Sequence, residues 1–408
     1  MRKAVNIFNI SVIVAALGYF VDIFDLILFG VVKDESLSSL GYAGEELMSK
    51  GVLLLNLQMA GMLFGGILWG VLGDKKGRIS VLFGSIFLYS AANIANGFVN
   101  EIWTYAVLRF IAGIGLAGEL GAGITLVAET LPKEKRGYGT MVVVVFGALG
   151  AVLAALVGQH FEWRTAYIVG GVLGIALLAL RVCTLESGMF KNISHNSEVK
   201  KGDFISIFTN KQRLLKYLAC IAVGLPVWFT IGILIIFSKD FAKALQVSGT
   251  IVAGKAIMFA YLGLSLGDLI SGILSQVLKS RKKVVLLFLA SSYILMLVYL
   301  LSNSLSTTYF YFLCFMLGIS TGFWAIFVTI AAEQFGTNLR ATVTTTVPNF
   351  VRGAVVPLTS GFLLLQGSLG IIYSAMIVGT ISILLSLIAT LSLKESFSKD
   401  LNYIEELA

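Results

Sequence analysis

Apolar runs of similar length alternate with short polar segments along the whole chain. Six such runs lie near 7–32, 52–72, 79–98, 103–130, 139–159 and 165–182. Six more lie near 216–238, 250–278, 284–302, 307–333, 339–365 and 369–393. A polar stretch from Cys183 to about Leu215 separates the two groups. A helix needs about 20 apolar residues to cross a bilayer. Membrane barrel strands are far shorter than these runs. Lipid offers the backbone no hydrogen-bond partner, so only helices or a closed barrel can span it. The pattern therefore predicts an all-α integral membrane protein with twelve transmembrane helices.

Composition agrees and narrows the choice. Of 408 residues, 57% are hydrophobic and 13% charged, against about 45–50% and 25% in soluble domains. A water-soluble fold would have to cover itself with apolar groups. Twelve spans take up roughly 240 residues, which leaves too little chain for a separate catalytic domain. The first run, after Met1-Arg2-Lys3, is too long for a signal-peptide core and is read as a retained span. Cys183, Cys220 and Cys314 lie far apart beside apolar runs and read as buried, inert thiols. His160 and His195 fall in no metal-ligand spacing. No metal or cofactor is expected.

The net charge of +8 could point to nucleic acid, but its position points elsewhere. With the N-terminus inside, 22 of the 30 Lys and Arg residues fall in inner segments. Only Lys33, Lys50, Arg164, Lys239 and Lys243 fall in outer ones, while Arg109, Lys255 and Arg352 lie within spans. Cytoplasmic loops carry the excess of Lys and Arg. Both termini and the 183–215 loop are therefore expected in the cytoplasm, with the bilayer as partner and no nucleic acid.

The chain also repeats itself. Gly66-Ile67-Leu68 and Val71-Leu72-Gly73-Asp74-Lys75-Lys76 return at a shift of 206 as Gly272-Ile273-Leu274 and Val277-Leu278-Lys279-Ser280-Arg281-Lys282. Gly113-Ile114 returns at 205 as Gly318-Ile319, and the pair Glu129, Arg136 returns at 204 as Glu333, Arg340. Two six-helix pseudo-repeats follow: an N-terminal half 1–182, the connecting loop 183–215, and a C-terminal half 216–408. Duplicated halves with a site between them are transporter architecture.

The motifs resemble the major facilitator superfamily. Gly70 to Arg78 is similar to that family's G-x-L-x-D-[RK]-x-G-R loop, although Ile79 stands where a further basic residue is usual. Glu129 to Gly137 resembles the E-x-x-P-x-x-x-R-G signature of sugar-porter-like members. Glu162-Trp163-Arg164, Leu185-Glu186-Ser187 and Lys394-Glu395-Ser396 resemble its other landmarks. The segment Gly18 to Asp25, with Arg109 to Gly113 and Gly118-Glu119, looks most like the metabolite:proton symporter branch. The resemblance implies the major facilitator fold. It also implies a cytoplasmic gate of inter-helix charge networks made by Asp74, Arg78, Glu129, Arg136, Arg281, Glu333 and Arg340.

Ionisable groups within spans are costly and are functional candidates by default. Asp22 and Asp25, three apart on helix 1, share a face. By depth they can meet Arg109 of helix 4. Two carboxylates at low dielectric resist being charged together, and one neutral beside one ionised acid suits a proton carrier. The alternative is a static Asp–Arg pair holding the two helices. Glu119 reads as a further proton site or as a hydrogen-bonded structural acid. Arg352 and Asn349 share a face of helix 11, where Pro348 and Pro357 free backbone groups beside a cavity. A guanidinium there fits a substrate carboxylate or phosphate. The alternative is an ion pair with Asp268. Tyr19 and Trp228 are expected at the same cavity.

The expected function is that of a proton-coupled symporter importing a small organic anion or zwitterion across the cytoplasmic (inner) membrane as a monomer. Proton-antiport efflux, facilitated diffusion of a neutral solute and a non-transporting sensor are the alternatives. No nucleophile–base set is present, so an enzyme is not expected.

Overall fold

The computed structural model describes residues 10–76, 78–131, 133–185 and 204–397. The elements in chain order are α1 (Ile10–Ser39), α2 (Glu45–Lys76), α3 (Arg78–Asn96), α4 (Ile102–Leu116), α5 (Glu119–Thr130), α6 (Lys133–His160) and α7 (Trp163–Leu185). They continue with α8 (Ser206–Thr209), α9 (Lys211–Phe229), a π-helical segment Thr230–Ile235, α10 (Ser238–Ala244), α11 (Ala253–Val277) and α12 (Arg281–Leu301). The last four are α13 (Thr307–Thr321), α14 (Trp324–Gln334), α15 (Thr337–Gly353) and α16 (Val355–Ser392). Ten stretches are long and apolar enough to cross a membrane, and Ser80–Asn96 is a shorter apolar helix. One of the ten, Thr342–Ser392, holds two spans. They join at Gly370, whose φ of +73° departs from the helix and suits a residue without Cβ. The twelve expected spans are thus accounted for.

Four spans are broken rather than continuous, one of them at Ala354, where α15 gives way to α16 within the run expected over 339–365. The run expected over 103–130 splits at Ala117–Gly118, and the run over 307–333 splits at Gly322–Phe323. The remaining break follows α9, where the chain passes through the π-helical segment before α10. Apolar periodicity could not predict these breaks, because hydrophobicity continues across each of them.

Each half has an equivalent seam in which backbone lies against backbone. Gly61 and Gly65 of α2 face Phe110 and Ile114 of α4, and Gly113 of α4 faces the Gln58 carbonyl. The second half repeats this: Gly263 and Gly267 of α11 face Phe315 and Ile319 of α13, and Gly318 faces the Ala260 carbonyl. A Cβ on any of these glycines would collide with main chain, so the helices approach as closely as small residues allow. The pairs fix the register of the repeat. From α4 to α13 the shift is 205, as the sequence indicates. From α2 to α11 it is 202, because Gly61 and Gly65 correspond to Gly263 and Gly267. The sequence match at 206 is therefore one helical turn out. A slip of four residues preserves the apolar face of a helix, so pattern matching cannot detect it.

The halves meet along α2 with α15, α6 with α11, and α5 with α15. Apart from Gly121, which sits against the Thr345 main chain, the contacts here run through side chains. Asn349 Nδ2 donates to the Ala117 carbonyl at 2.8 Å, and Thr359 Oγ1 donates to Asn56 Oδ1 at 2.7 Å.

Gly113→Val and Gly318→Val should each abolish monodisperse, folded protein, as read by size-exclusion chromatography. Gly361→Ala, with open space where its Cβ would lie, should leave yield and melting temperature unchanged. Normal folding of both valine variants would overturn the seam assignment.

Candidate substrate and coupling site

At mid-height, α1 supplies Tyr19 and Asp22, α15 supplies Asn349 and Arg352, α9 supplies Trp228, and the restart of α14 supplies Trp324. Arg352 is fully buried. Its Nη2 lies 3.5 Å from Asp22 Oδ2 and donates to the Tyr19 hydroxyl at 3.4 Å, and its Nη1 donates to Asn349 Oδ1 at 3.5 Å. The guanidinium carbon is 6.0 Å from the Tyr19 ring centre and 5.9 Å from those of Trp228 and Trp324. These long distances describe a loosely held cation in an aromatic cage. A cavity of about 20 Å³ lies beside it, lined by Tyr19, Trp228, Tyr261 and Trp324 among others.

The acids and Arg109 do not form one group. Asp22 turns to Arg352 across the interface, whereas Asp25 stays within the first half. Three helical residues leave an offset of about 60°, enough to direct the two acids at different neighbours. Arg109 Nη2 donates to Asn93 Oδ1 at 2.6 Å, and its guanidinium carbon sits 4.6 Å from the Tyr167 ring centre. Tyr167 and Tyr105 share a hydrogen bond of 2.6 Å. Both Asp25 oxygens are buried without a hydrogen-bond partner. Glu119 opens α5 and accepts from Ser85 Oγ at 2.9 Å.

Asp268 is not the partner of Arg352. Its Oδ1 accepts from the Ala325 backbone N–H at 2.9 Å, capping the restarted helix α14. An uncapped helix start in apolar surroundings leaves N–H groups unsatisfied. That need claims this carboxylate and leaves Arg352 to Asp22. The expected cavity residues Tyr19, Trp228, Asn349 and Arg352 do converge. Trp324 and Tyr261 were not anticipated. Trp324 lies 205 residues after Glu119, so the repeat itself carried that signal.

The side chains of Asp74, Arg78, Glu129 and Arg136 lie outside the described residues. In the second half, Arg281 Nη2 lies 3.4 Å from Glu333 Oε1, and its Nη1 donates to Ser275 Oγ at 2.6 Å. Arg340 donates to the Ala332 and Phe335 carbonyls at 3.2 and 3.4 Å. Ser396 Oγ donates to Glu333 Oε2 at 2.7 Å. Beyond the end of α16, Glu395 accepts from the Ser280 hydroxyl and from the Arg281, Lys282 and Phe397 backbone N–H groups. Partial burial works against its charged form, but these donors outweigh it and hold the carboxyl below the usual range. Cys220 and Cys314 are buried and unpaired, His160 is exposed, and His195 and the Cys183 side chain lie outside the described residues. No group of three or more potential metal ligands occurs among the described residues.

The sequence profile of the Major Facilitator Superfamily matches residues 15–353. The chain belongs to this superfamily. A putative metabolite transport protein of Haemophilus influenzae is 34% identical over 175 residues, 42% of each chain. The putative niacin/nicotinamide transporter of Bacillus subtilis is 29% identical over 185 residues, 44% of this chain and 45% of its own. The chain thus spans under half the length of these two relatives. The gentisate transporter of Corynebacterium glutamicum is 24% identical over 426 residues, covering 97% of this chain and 92% of that one. A solved structure of the proton:xylose symporter XylE is similar with a TM-score of 0.71 at 15% identity, over 96% of this chain and 97% of that one. That likeness concerns the fold. With its long apolar helices, the chain is an integral membrane protein of the major facilitator superfamily.

Two outcomes test this geometry. Asp268→Ala should lower stability by about 1–2 kcal/mol, the usual cost of a lost cap, and Arg352→Ala should not relieve it; recovery in the double variant would restore the Arg352–Asp268 pair. For Glu395, the folded pKa lies below the unfolded value. Its stabilisation is therefore present above the unfolded pKa and is lost as pH falls through the folded one. The melting temperature of Glu395→Gln should lie below that of the unsubstituted protein at pH 7, and the gap should close only below about pH 4.

Proposed function

We propose that the chain is a proton-coupled symporter importing small organic anions, with aromatic carboxylates as the favoured class. One observation carries this reading: the 3.5 Å pair of Arg352 with Asp22, buried in a cage of Tyr19, Trp228 and Trp324 between the halves. A substrate carboxylate and the Asp22 carboxylate compete for one guanidinium. Protonation of Asp22 releases Arg352, which then takes the substrate in a forked pair of charge-assisted hydrogen bonds. A proton thereby accompanies the anion. The indole and phenol rings offer faces to an aromatic ring. Relatives named as transporters of niacin, gentisate and benzoate support that class.

The central cavity of about 20 Å³ cannot admit such a molecule, so the halves must part to load it. Under the charge distribution of the loops, the end where α1 meets α2 faces outward and the end where α2 meets α3 faces the cytoplasm. Asp25, with Arg109 and Asn93, then forms a second buried acid reserved from the substrate, and Glu119 a third. The Arg281–Glu333 pair and the carbonyl-bound Arg340 belong to the cytoplasmic gate, to which Asp74, Arg78, Glu129 and Arg136 of the first half are assigned by their motifs.

Uptake of nicotinate and gentisate into proteoliposomes tests the reading. Asp22→Asn should abolish accumulation driven by a pH gradient while retaining exchange of bound for free substrate, because exchange cycles without net proton transfer. Arg352→Lys keeps the charge and loses the fork. It should weaken binding roughly ten- to a hundred-fold, the equivalent of about 1.5–3 kcal/mol. Unaltered pH-driven accumulation by Asp22→Asn would remove Asp22 as carrier. Unaltered affinity with a lowered melting point would make Arg352 structural.

A further inference from the structure

A second cavity, of about 470 Å³, opens at the end where α1 meets α2, well apart from the Arg352 cage. Its charged lining is Lys33 and Asp34 of α1 with Lys239, Asp240 and Lys243 of α10. Few cations belong to this side of the protein. Of the five assigned to outer segments, Lys33, Lys239 and Lys243 all line this one cavity. Lys33 is nearly buried, with its ammonium 4.1 Å from the Phe237 ring centre and 3.5 Å from Asp34 Oδ1. Lys239, half exposed, reaches from the other half of the protein to Asp34 Oδ2 at 3.0 Å. One carboxylate thus sits between two ammonium groups, and three cations face two acids.

We propose that this cavity is a recruitment subsite for organic carboxylates, in which the incoming anion displaces Asp34 from Lys239. Within the lining itself, three ammonium groups against two carboxylates leave one cation's worth of charge for an incoming anion. The Asp34–Lys239 pair spans the two halves, is accessible to water, and is therefore weak and exchangeable. Once the substrate holds Lys239, the strap between α1 and α10 is undone. Its release has a path inward. α10 follows the π-helical segment Thr230–Ile235, and Ile231 of that segment lines the central cavity beside Trp228. π-Helical turns are poorly favoured and recur where helices must adjust. The subsite therefore recruits the anion and loosens the wall of the central cavity.

The inference rests on the anion-import reading, and the test separates the two. The protein is placed in phosphatidylcholine nanodiscs, which contain no anionic headgroup. Lys239 is labelled with pyridoxal 5′-phosphate and borohydride, and read by peptide mass spectrometry. Benzoate should protect Lys239, and in Asp34→Asn it should do so at roughly ten-fold lower concentration, since the internal competitor is gone. Protection should persist in Arg352→Ala, which lacks the central anion partner. Absence of protection, or its loss with Arg352, overturns the subsite. Protection of Lys239 without carboxylate uptake in proteoliposomes would overturn the import reading and leave the subsite standing. In uptake assays, Lys239→Gln should raise KM about ten-fold with maximal rate nearly unchanged, while Asp34→Asn should lower KM. A plain ion-pair strap is broken equally by either change, so shifts of KM in the same direction would overturn the proposal.

Discussion

The buried pair of Arg352 and Asp22 is the constraint around which the rest of the molecule is arranged. Two ions at membrane depth lose several kcal/mol each of hydration, and only close, well-satisfied pairing offsets it. This pair is neither especially close nor fully satisfied: 3.5 Å, with no further hydrogen bond to either Asp22 oxygen. It is also contributed by different halves, so that the charges are neutralised only when the halves are closed. A tight, complete ion pair would have no reason to open. A loose one can be exchanged for another carboxylate at small net cost. The aromatic residues around it keep water out, and only one of them, Tyr19, holds Arg352 by a hydrogen bond, a long one of 3.4 Å.

The scaffold is symmetric and the chemistry is not. Glycine seams recur between α2 and α4 and between α11 and α13, yet the residues that matter at the centre differ at equivalent positions. Glu119 corresponds to Trp324 at the shift of 205. Gly66 corresponds to Asp268 at the shift of 202 set by the seam. The first half keeps its acids, Asp22, Asp25 and Glu119, near the centre. The second half provides the guanidinium and the indoles, and commits its own acid, Asp268, to capping a broken helix. A duplicated fold thereby has an acidic face opposite a cationic and aromatic one.

The parts of this arrangement legible in the sequence are those that depend on composition and period. Spans are long apolar runs, and the repeat preserves small residues where backbones touch. Arg352, Asp22, Tyr19 and Trp228 were identifiable because polar or aromatic groups at membrane depth are conspicuous against an apolar background. Partnership was less legible. Asp22 and Asp25 share one broad face of α1 but diverge by enough to serve different clusters, and no periodicity distinguishes them. The alternative pairing of Asp268 with Arg352 stays open in the sequence because the break at Gly322–Phe323, which creates the unsatisfied N–H groups, is invisible in a continuous apolar run. Register across the repeat was lost for a related reason, since a one-turn slip leaves every apolar position apolar.

The two kinds of contact also determine where the molecule can move. Within each half, glycines bring main chain onto main chain, and a slide of one helix along the other would drive side chains into carbonyl oxygens. Between the halves, the polar contacts are made by Asn349, Thr359, Arg352 and Lys239, each through a side-chain atom that water or a ligand can replace. Packed surfaces resist gradual deformation, whereas polar side-chain contacts can be exchanged one for another. The proposed transport cycle therefore belongs to the surface between the halves. The breaks at Ala117–Gly118, Thr230–Ile235, Gly322–Phe323 and Ala354 are places where helix ends can tilt, the first and third of them just beyond the glycine seams. Placing the carboxylate-binding groups on that one separable surface makes substrate, proton and conformation compete for the same few atoms. That competition is what coupling requires.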